Sequence, residues 1–424
     1  MGNKMSNLFL ISNEKKYSFE HLTEDINEIT EYHRYIYVQN NDLYEIFKAI
    51  ICSIVYEYPI ILIDGDFSEK ELSNIGITED EILYKSIIYN KKEFSSYDEI
   101  IKQSIEMLNS KRDNWSISIF TSGTTGIPKR ITHNISTISR NIKIGNKYTE
   151  NVWGFAYNPT HMAGIQVFFQ SFYNKNTIVD ISGKLKNNLS FYIGKYNITN
   201  ISATATYYRS ILPSINNMKF NSIKNITFGG EKCDEKLIKN LKEIFTDCNV
   251  RNVYASTEAG SLFSSKGEIF FIPESMIKYV KVNEQSELLI NKKLLGFSND
   301  FDVNSEWYNT KDLVEKITEN EFKFKSRTSD IINVGGYNVN VLEIEDLLLQ
   351  FDGIIDAYVY GRKNSLTGNI IAADIIVMKN IDEIEIKKKI KLYASENLQE
   401  WKVPRIIRVV DHIDNTRTGK KVRL

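Results

Sequence analysis

Cysteine is scarce. Only Cys52, Cys233 and Cys248 occur in 424 residues, far apart and without CxxC spacing. Neither a disulfide framework nor a structural zinc site is expected from them. Histidine gives no ligand pattern either: His21, His33, His133 and His412 show no metal-binding spacing. Net charge is nearly absent, at −1, which removes the bulk field that would draw nucleic acid or an anionic membrane. An anionic ligand must therefore be captured by a few placed groups. The sequence has no apolar run of about 18 residues, so no membrane-spanning helix is expected. The apolar patch near the N-terminus is too short for the core of a signal peptide. A reducing cytoplasm is the expected location. Internal repeats and low-complexity segments are missing, and so is the GxxxxGK[ST] loop, which disfavours a P-loop NTPase.

What is present is an ordinary globular composition, 42% hydrophobic and 25% charged, in a chain too long for one common core. "NDLYEIFKAIICSIVYEYPIILIDGD" reads as a helix running into a buried strand closed by Asp-Gly. "YDEIIKQSIEMLNSKRD" reads as an amphipathic helix, and "WSISIF" as an alternating strand that enters a loop. "TNISATATYYRSIL", "IKNITFGGEKCDEKLIKNLKEIF" and "CNVRNVYASTEAGSL" each place a small-residue turn after a β-branched strand. Such alternation predicts α/β layers around a parallel sheet, whose ligands bind at the strand C-terminal ends. After about residue 265 the pattern turns to antiparallel hairpins. A boundary near residue 326 separates a large N-terminal α/β domain (1–326), with a β-rich subdomain, from a small α+β domain (327–424).

The loop is "IFTSGTTGIPKRI", residues 119 to 131. A turn of Gly, Ser and Thr carries little bulk, so its N–H groups can converge as an anion nest. The hydroxyls add donors and Lys129 adds charge; a triphosphate suits such a nest. A plain surface turn is the competing reading.

Later segments favour the first reading. "YASTE" (254–258), "WYNTKDLVE" with Asp312, "SRTSDIINVGGYNVNVLEIE" with Arg327, Gly335 and Gly336, and "DNTRTGKKVRL" with Lys420 follow the loop in order. Together they resemble the adenylate-forming superfamily of acyl- and aryl-CoA synthetases, carrier-protein adenylation domains and luciferase. The resemblance runs from about residue 40 to the end. It implies a two-domain fold with a mobile C-terminal domain, and an acid–thiol ligase that uses ATP and Mg²⁺. The acid would first become an acyl-AMP, with loss of pyrophosphate, and then a thioester on CoA or on the phosphopantetheine of a carrier protein acting in trans.

The resemblance also implies roles. Thr121, Ser122, Gly123, Thr124, Thr125, Gly126 and Lys129 would hold the β- and γ-phosphates. Thr257 would meet the α-phosphate and Glu258 would bind Mg²⁺. Tyr254 would stack on adenine beside the turn Gly229, Gly230, Glu231, a core tyrosine being the alternative. Asp312 would accept both ribose hydroxyls, and Arg327 would assist there and link the domains. Lys420 would bridge the carboxylate and α-phosphate oxygens and then leave, as rotation of the small domain brings Gly335 and Gly336 in to form the thiol tunnel. A frayed basic tail is the bland reading of Lys420.

Departures from the family pattern are specific. Ser329 stands at the hinge position, with Asp330 next; Ala255 replaces a glycine; Arg130 follows Lys129; and only 118 residues precede the loop, which implies a trimmed first subdomain. "NPTHMAGIQVFFQSF" resembles the segment bearing the acyl-pocket aromatic. Relatives that activate α-amino acids place an Asp where this chain has His161, so the expected acid lacks an α-ammonium. His161, Met162, Gly164, Thr204 and Ala255, with Gly229, would line a pocket for an aryl or short acyl acid. A hydrogen-bonded core histidine is the alternative for His161. The competing functions are transfer to a non-thiol acceptor and a catalytically silent nucleotide-binding homologue.

Overall fold

The computed structural model describes residues 7–28, 34–84, 86–87, 92–110, 115–121, 128–302, 304–364, 367–379, 381–416 and 421–422. The motif residues Ser122, Gly123, Thr124, Thr125, Gly126 and Lys420 lie outside them.

An eight-stranded sheet forms the centre of the N-terminal part. Its strands Asn249–Ser256, Asn225–Gly229, Asn200–Ala203, Val152–Phe155, Thr177–Asp180 and Leu8–Ser12 are mutually parallel. Antiparallel strands Gly260–Ser265 and Lys15–Ser18 close the two edges. A second sheet places Tyr37–Asn40, Ile60–Asp64 and Ser116–Thr121 in parallel, with Lys129–Asn134 antiparallel at its edge.

The helix Leu43–Val55 begins at Asp42, whose carboxylate accepts the N–H groups of Tyr44 and Glu45 and so satisfies two otherwise orphaned donors. It is buried on nearly every side because it packs between layers. One continuous core joins Phe47, Ile50 and Trp115 to Phe155 of the larger sheet and to Phe168 of the helix Met162–Phe172. The Trp115 indole N–H is satisfied by the Ser53 hydroxyl at 2.9 Å. The expected alternation of "WSISIF" is not observed: Ile117, Ser118, Ile119 and Phe120 are all buried. A strand inside a sheet covered on both faces has no wet side, so period two disappears.

A five-stranded antiparallel sheet follows, in the order Ile269–Phe271, Glu321–Arg327, Trp307–Lys316, Glu287–Asn291, Val280–Val282. The C-terminal part contains the hairpin Ile331–Val334 and Tyr337–Asn340, the helix Val341–Gln350, the sheet Ile354–Asn364, Gly368–Val377, Ile406–Val409, and the helix Glu383–Asn397. Its core is separate, built on Ile344, Leu348, Val359, Ile375 and Ile390. The hairpin turn is Gly335-Gly336, with φ of 58° and 92°. Two successive left-handed residues are what a two-residue hairpin of this hand requires.

Among the described residues no helix is long and apolar enough to cross a membrane.

Candidate active site

Thr204, Gly230, Glu231, Thr257 and Glu258 follow the C-terminal ends of parallel strands, where such sheets bind ligands. A cleft there is lined by Gly230, Glu231, Tyr254, Ala255, Asp312 and Arg327, with Cys233 and Phe270 among its walls.

Asp312 is its best-buried charge, at 2% exposure. It faces Arg327 across the pair of strands Trp307–Lys316 and Glu321–Arg327. The Arg327 Nε–H donates to Asp312 Oδ1 at 2.8 Å, and the Tyr254 hydroxyl donates to Oδ2. The Arg327 pKa is raised, chiefly by Asp312. Burial first, and then the Asp312 charge, push the Tyr254 phenol well above its ordinary value. Tyr254 thus has a double placement: it lines the cleft, and its ring packs with Phe263, Phe270 and Phe322.

Thr257 and Glu258 follow the strand Asn249–Ser256. The Glu258 Oε1 accepts from the Tyr308 hydroxyl at 3.3 Å, and its carbonyl accepts the Gly296 N–H at 2.8 Å. His133 fixes Thr257 from behind: its Nε2–H donates to the Thr257 carbonyl at 2.8 Å, and Nδ1 lies 3.2 Å from the Thr137 hydroxyl. Two residues on, Arg140 donates to the Ala259 carbonyl at 3.2 Å. Thr121 and Lys129 form the register pair that flanks the phosphate-loop segment.

His133 carries a pH prediction. Burial pushes its pKa down to about 4 from the ordinary 6.5, against the opposing hydrogen bond to Thr257. Below pH 6.5 the unfolded chain binds a proton that the folded chain refuses, so stability rises with pH between about 4 and 6.5. Urea unfolding is expected to lose about 2 kcal/mol through this group between pH 7.5 and 5. In His133→Gln this pH-dependent increment should vanish; an unchanged slope would mean that His133 is not the group responsible.

Glu231 is fully engaged. The Thr206 N–H and hydroxyl donate to it at 2.8 and 2.9 Å, and the N–H of Lys421 donates at 3.3 Å. The last contact brings the C-terminal tail to the cleft.

The expected acyl-pocket residues differ in what they do locally. Thr204 caps the helix Ala205–Ile215 by accepting the Tyr207 N–H at 3.1 Å. Met162 opens the helix Met162–Phe172 and is buried. Gly164 is a close-approach glycine, because a Cβ there would stand 2.2 Å from the Asn158 carbonyl oxygen. Ala255 lines the cleft. The Gly229 backbone would bring a Cβ to 3.1 Å from the Tyr157 hydroxyl. Gly335 and Gly336 sit apart, on the C-terminal hairpin, where the Gly335 N–H donates to Thr367.

Sequence reasoning missed Asp64. This buried carboxylate ends the strand Ile60–Asp64. His161 Nε2 lies 3.0 Å from it, Asn158 Nδ2 3.1 Å away, and the Thr160 hydroxyl also donates to it. Burial pushes its pKa up, but these donors more than offset that and hold it below the usual range. His161 Nδ1 is buried with no hydrogen-bond partner. His161 is therefore a hydrogen-bonded buried histidine with one ring nitrogen uncommitted. The signal for Asp64 was its place at the end of a predicted parallel strand. Asp330, beside the unusual Ser329, accepts the Arg327 N–H at 2.8 Å and is buried.

The family model described as "AMP-binding enzyme" matches residues 57–280, and that described as "AMP-binding enzyme C-terminal domain" matches residues 343–420. The chain is 25% identical over 377 residues to 4-hydroxybutyrate–CoA ligase 1 of Metallosphaera sedula, covering 79% of this chain and 66% of that one. It is 24% identical over 395 residues to 2-succinylbenzoate–CoA ligase of Bacillus subtilis, covering 86% and 76%. The chain thus spans about two thirds of the first relative's length. Among solved structures, o-succinylbenzoate CoA synthetase (MenE) from Bacillus subtilis in complex with the acyl-adenylate intermediate OSB-AMP is similar in fold. The TM-score is 0.68 at 19% identity, covering 98% of this chain and 94% of that one.

Proposed function

Because the chain belongs to the AMP-binding enzyme family, we propose that it is an AMP-forming acid–thiol ligase, which adenylates a carboxylic acid with ATP and then makes its CoA thioester. The observation that carries this reading is the cleft around Asp312, Tyr254, Gly230 and Glu231, whose Glu231 carboxylate accepts the backbone N–H of Lys421.

In this reading Asp312 gives up part of its hold on Tyr254 and Arg327 to accept the ribose hydroxyls. Two acceptor oxygens suit a vicinal diol. Tyr254 and the Gly230–Glu231 turn flank the adenine, and Thr121 to Lys129 hold the β- and γ-phosphates. Thr257 meets the α-phosphate, its backbone held by His133. Glu258 fits Mg²⁺ because it is a single carboxylate. Among the described residues no group of three or more His, Cys, Asp or Glu could hold a metal, and Mg²⁺ commonly binds through one or two carboxylates plus phosphate oxygens. Bound there, it neutralises phosphate charge. Lys420 stabilises the charge that builds as carboxylate oxygen attacks the α-phosphorus and pyrophosphate departs.

The acid is of the aryl or short acyl type and lacks an α-ammonium. Its walls are Met162, Gly164, Thr204, Ala255 and His161. Asp64 does not change this reading, since His161, Asn158 and Thr160 already donate to its carboxylate. The acceptor is CoA, or a carrier-protein phosphopantetheine acting in trans. Gly335 and Gly336 reach the site after the unit from about residue 327 rotates. A cytoplasmic location belongs to the same proposal, and the free thiols of Cys52, Cys233 and Cys248 accord with it.

ATP–pyrophosphate exchange over a panel of aryl, short-chain, long-chain and amino acids tests the reading. Exchange is expected with one class lacking an α-ammonium, and CoA added to that acid should yield a thioester. Nucleotide binding without exchange on any acid would favour a silent homologue.

A further inference from the structure

Lysine is rarely buried without a partner, yet Lys421 is only 8% exposed. Its Nζ lies 2.7 Å from Asp356 Oδ1 and 3.8 Å from Glu345 Oε2, and donates to the Ala357 carbonyl. Asp356 and Glu345 are themselves buried, in the strand Ile354–Asn364 and the helix Val341–Gln350. The backbone here is folded back as well: Lys421 bridges Asn415, and the Val422 N–H donates to the Asp414 carbonyl at 2.9 Å. Lys421 therefore clamps the tail onto the C-terminal core. Its neighbour in sequence is Lys420.

The clamp meets the N-terminal part through Arg209. This side chain, 7% exposed, donates to Asp234 Oδ2 at 2.6 Å and lies 3.7 Å from Asp356 Oδ1. The Lys421 N–H adds the bond to Glu231. The ion pairs are divided so that separation leaves no buried charge alone. Arg209 keeps Asp234 on one side, and Asp356 keeps Lys421 on the other. Stranding one member of a buried pair is the destabilising event, and this arrangement avoids it. The contact suits docking that must form and release.

We propose that Lys421 is a positioning residue for adenylation: its buried ammonium pins the tail to Asp356 and Glu345, and the Arg209–Asp356 and Lys421–Glu231 contacts dock that unit so that Lys420 reaches the reacting carboxylate and α-phosphate. The inference rests on the adenylation reading above.

The test uses the full chain with the acid found by the exchange panel. Lys421→Met keeps the length and removes the charge. Its kcat for pyrophosphate exchange is expected to fall about 10- to 100-fold, the scale of a small misplacement of a reacting group. The KM for ATP, and thioester formation from supplied acyl-adenylate and CoA, should stay within about 3-fold of wild type, and Lys421→Arg should recover part of the exchange. Arg209→Gln, which leaves Lys421 and Asp356 paired, should show the same split more weakly and covers the case in which Lys421→Met fails to fold. Equal loss in both half-reactions, or no loss in either, overturns the inference while wild-type exchange leaves the adenylation reading standing. A wild type silent toward every acid overturns both.

Discussion

Lys420→Ala is expected to slow ATP–pyrophosphate exchange by about 10²- to 10³-fold, the usual effect of removing one preorganised group that meets developing charge. Thioester formation from supplied acyl-adenylate should change far less if, as proposed, Lys420 leaves the site for the second half-reaction. The asymmetry matters more than the size. A basic tail that merely adds charge near the cleft would affect both steps through nucleotide binding, and salt would screen it. An ammonium placed on the reacting oxygens acts on kcat of the first step alone. Equal loss in the two half-reactions would remove the two-posture account. The neighbouring Lys421, whose ammonium faces Asp356 and not the reacting oxygens, is expected to show the same asymmetry at smaller size.

The second large effect is expected at Asp312. Asp312→Ala should weaken ATP binding about 100-fold, because two hydrogen bonds to a charged acceptor disappear together. Stability should also fall, by about 1–3 kcal/mol, because the buried Tyr254 hydroxyl loses its acceptor. Arg327 adds little to that loss: its side chain is half exposed and can turn to water. Asp312→Asn separates the two effects. Its carbonyl still serves Tyr254, but its amide nitrogen cannot accept a hydroxyl, so stability should largely return while affinity does not. Nucleotide titration calorimetry and urea unfolding of the two variants read these quantities. Unchanged affinity in Asp312→Ala would end the ribose assignment.

Local pattern made much of the fold legible. "PIILID" became the strand Ile60–Asp64, and the segment before it the helix Leu43–Val55. Tyr254, Asp312 and Arg327 are distant in sequence, yet the family's motif order brought them together and the fold places them around one carboxylate. What stayed hidden was pairing across the chain. Nothing near Asp64 announces His161, and nothing near Arg209 announces Asp356; a buried ion pair leaves no periodicity in either segment. Gly164 was read as part of a pocket wall, but its absent side chain first answers to the Asn158 carbonyl. Local reading weighs one segment at a time, whereas a close approach belongs to two. The phosphate loop shows the same divide: its flanks Thr121 and Lys129 pair, while its central residues stand on the sequence motif.

The strand Leu8–Ser12 has a consequence in time. It lies between Lys15–Ser18 and Thr177–Asp180, and Ser12 bonds to Asp180, 168 positions later, at 2.8 Å. At roughly 5–20 residues per second, a ribosome needs about 10 to 30 seconds to make the second partner after the first. Until then an apolar strand waits with one edge open, a template for mispairing. Its pairing waits on chain made 168 positions later, and the yield of folded protein should respond to elongation rate between these two segments more than to the rate elsewhere.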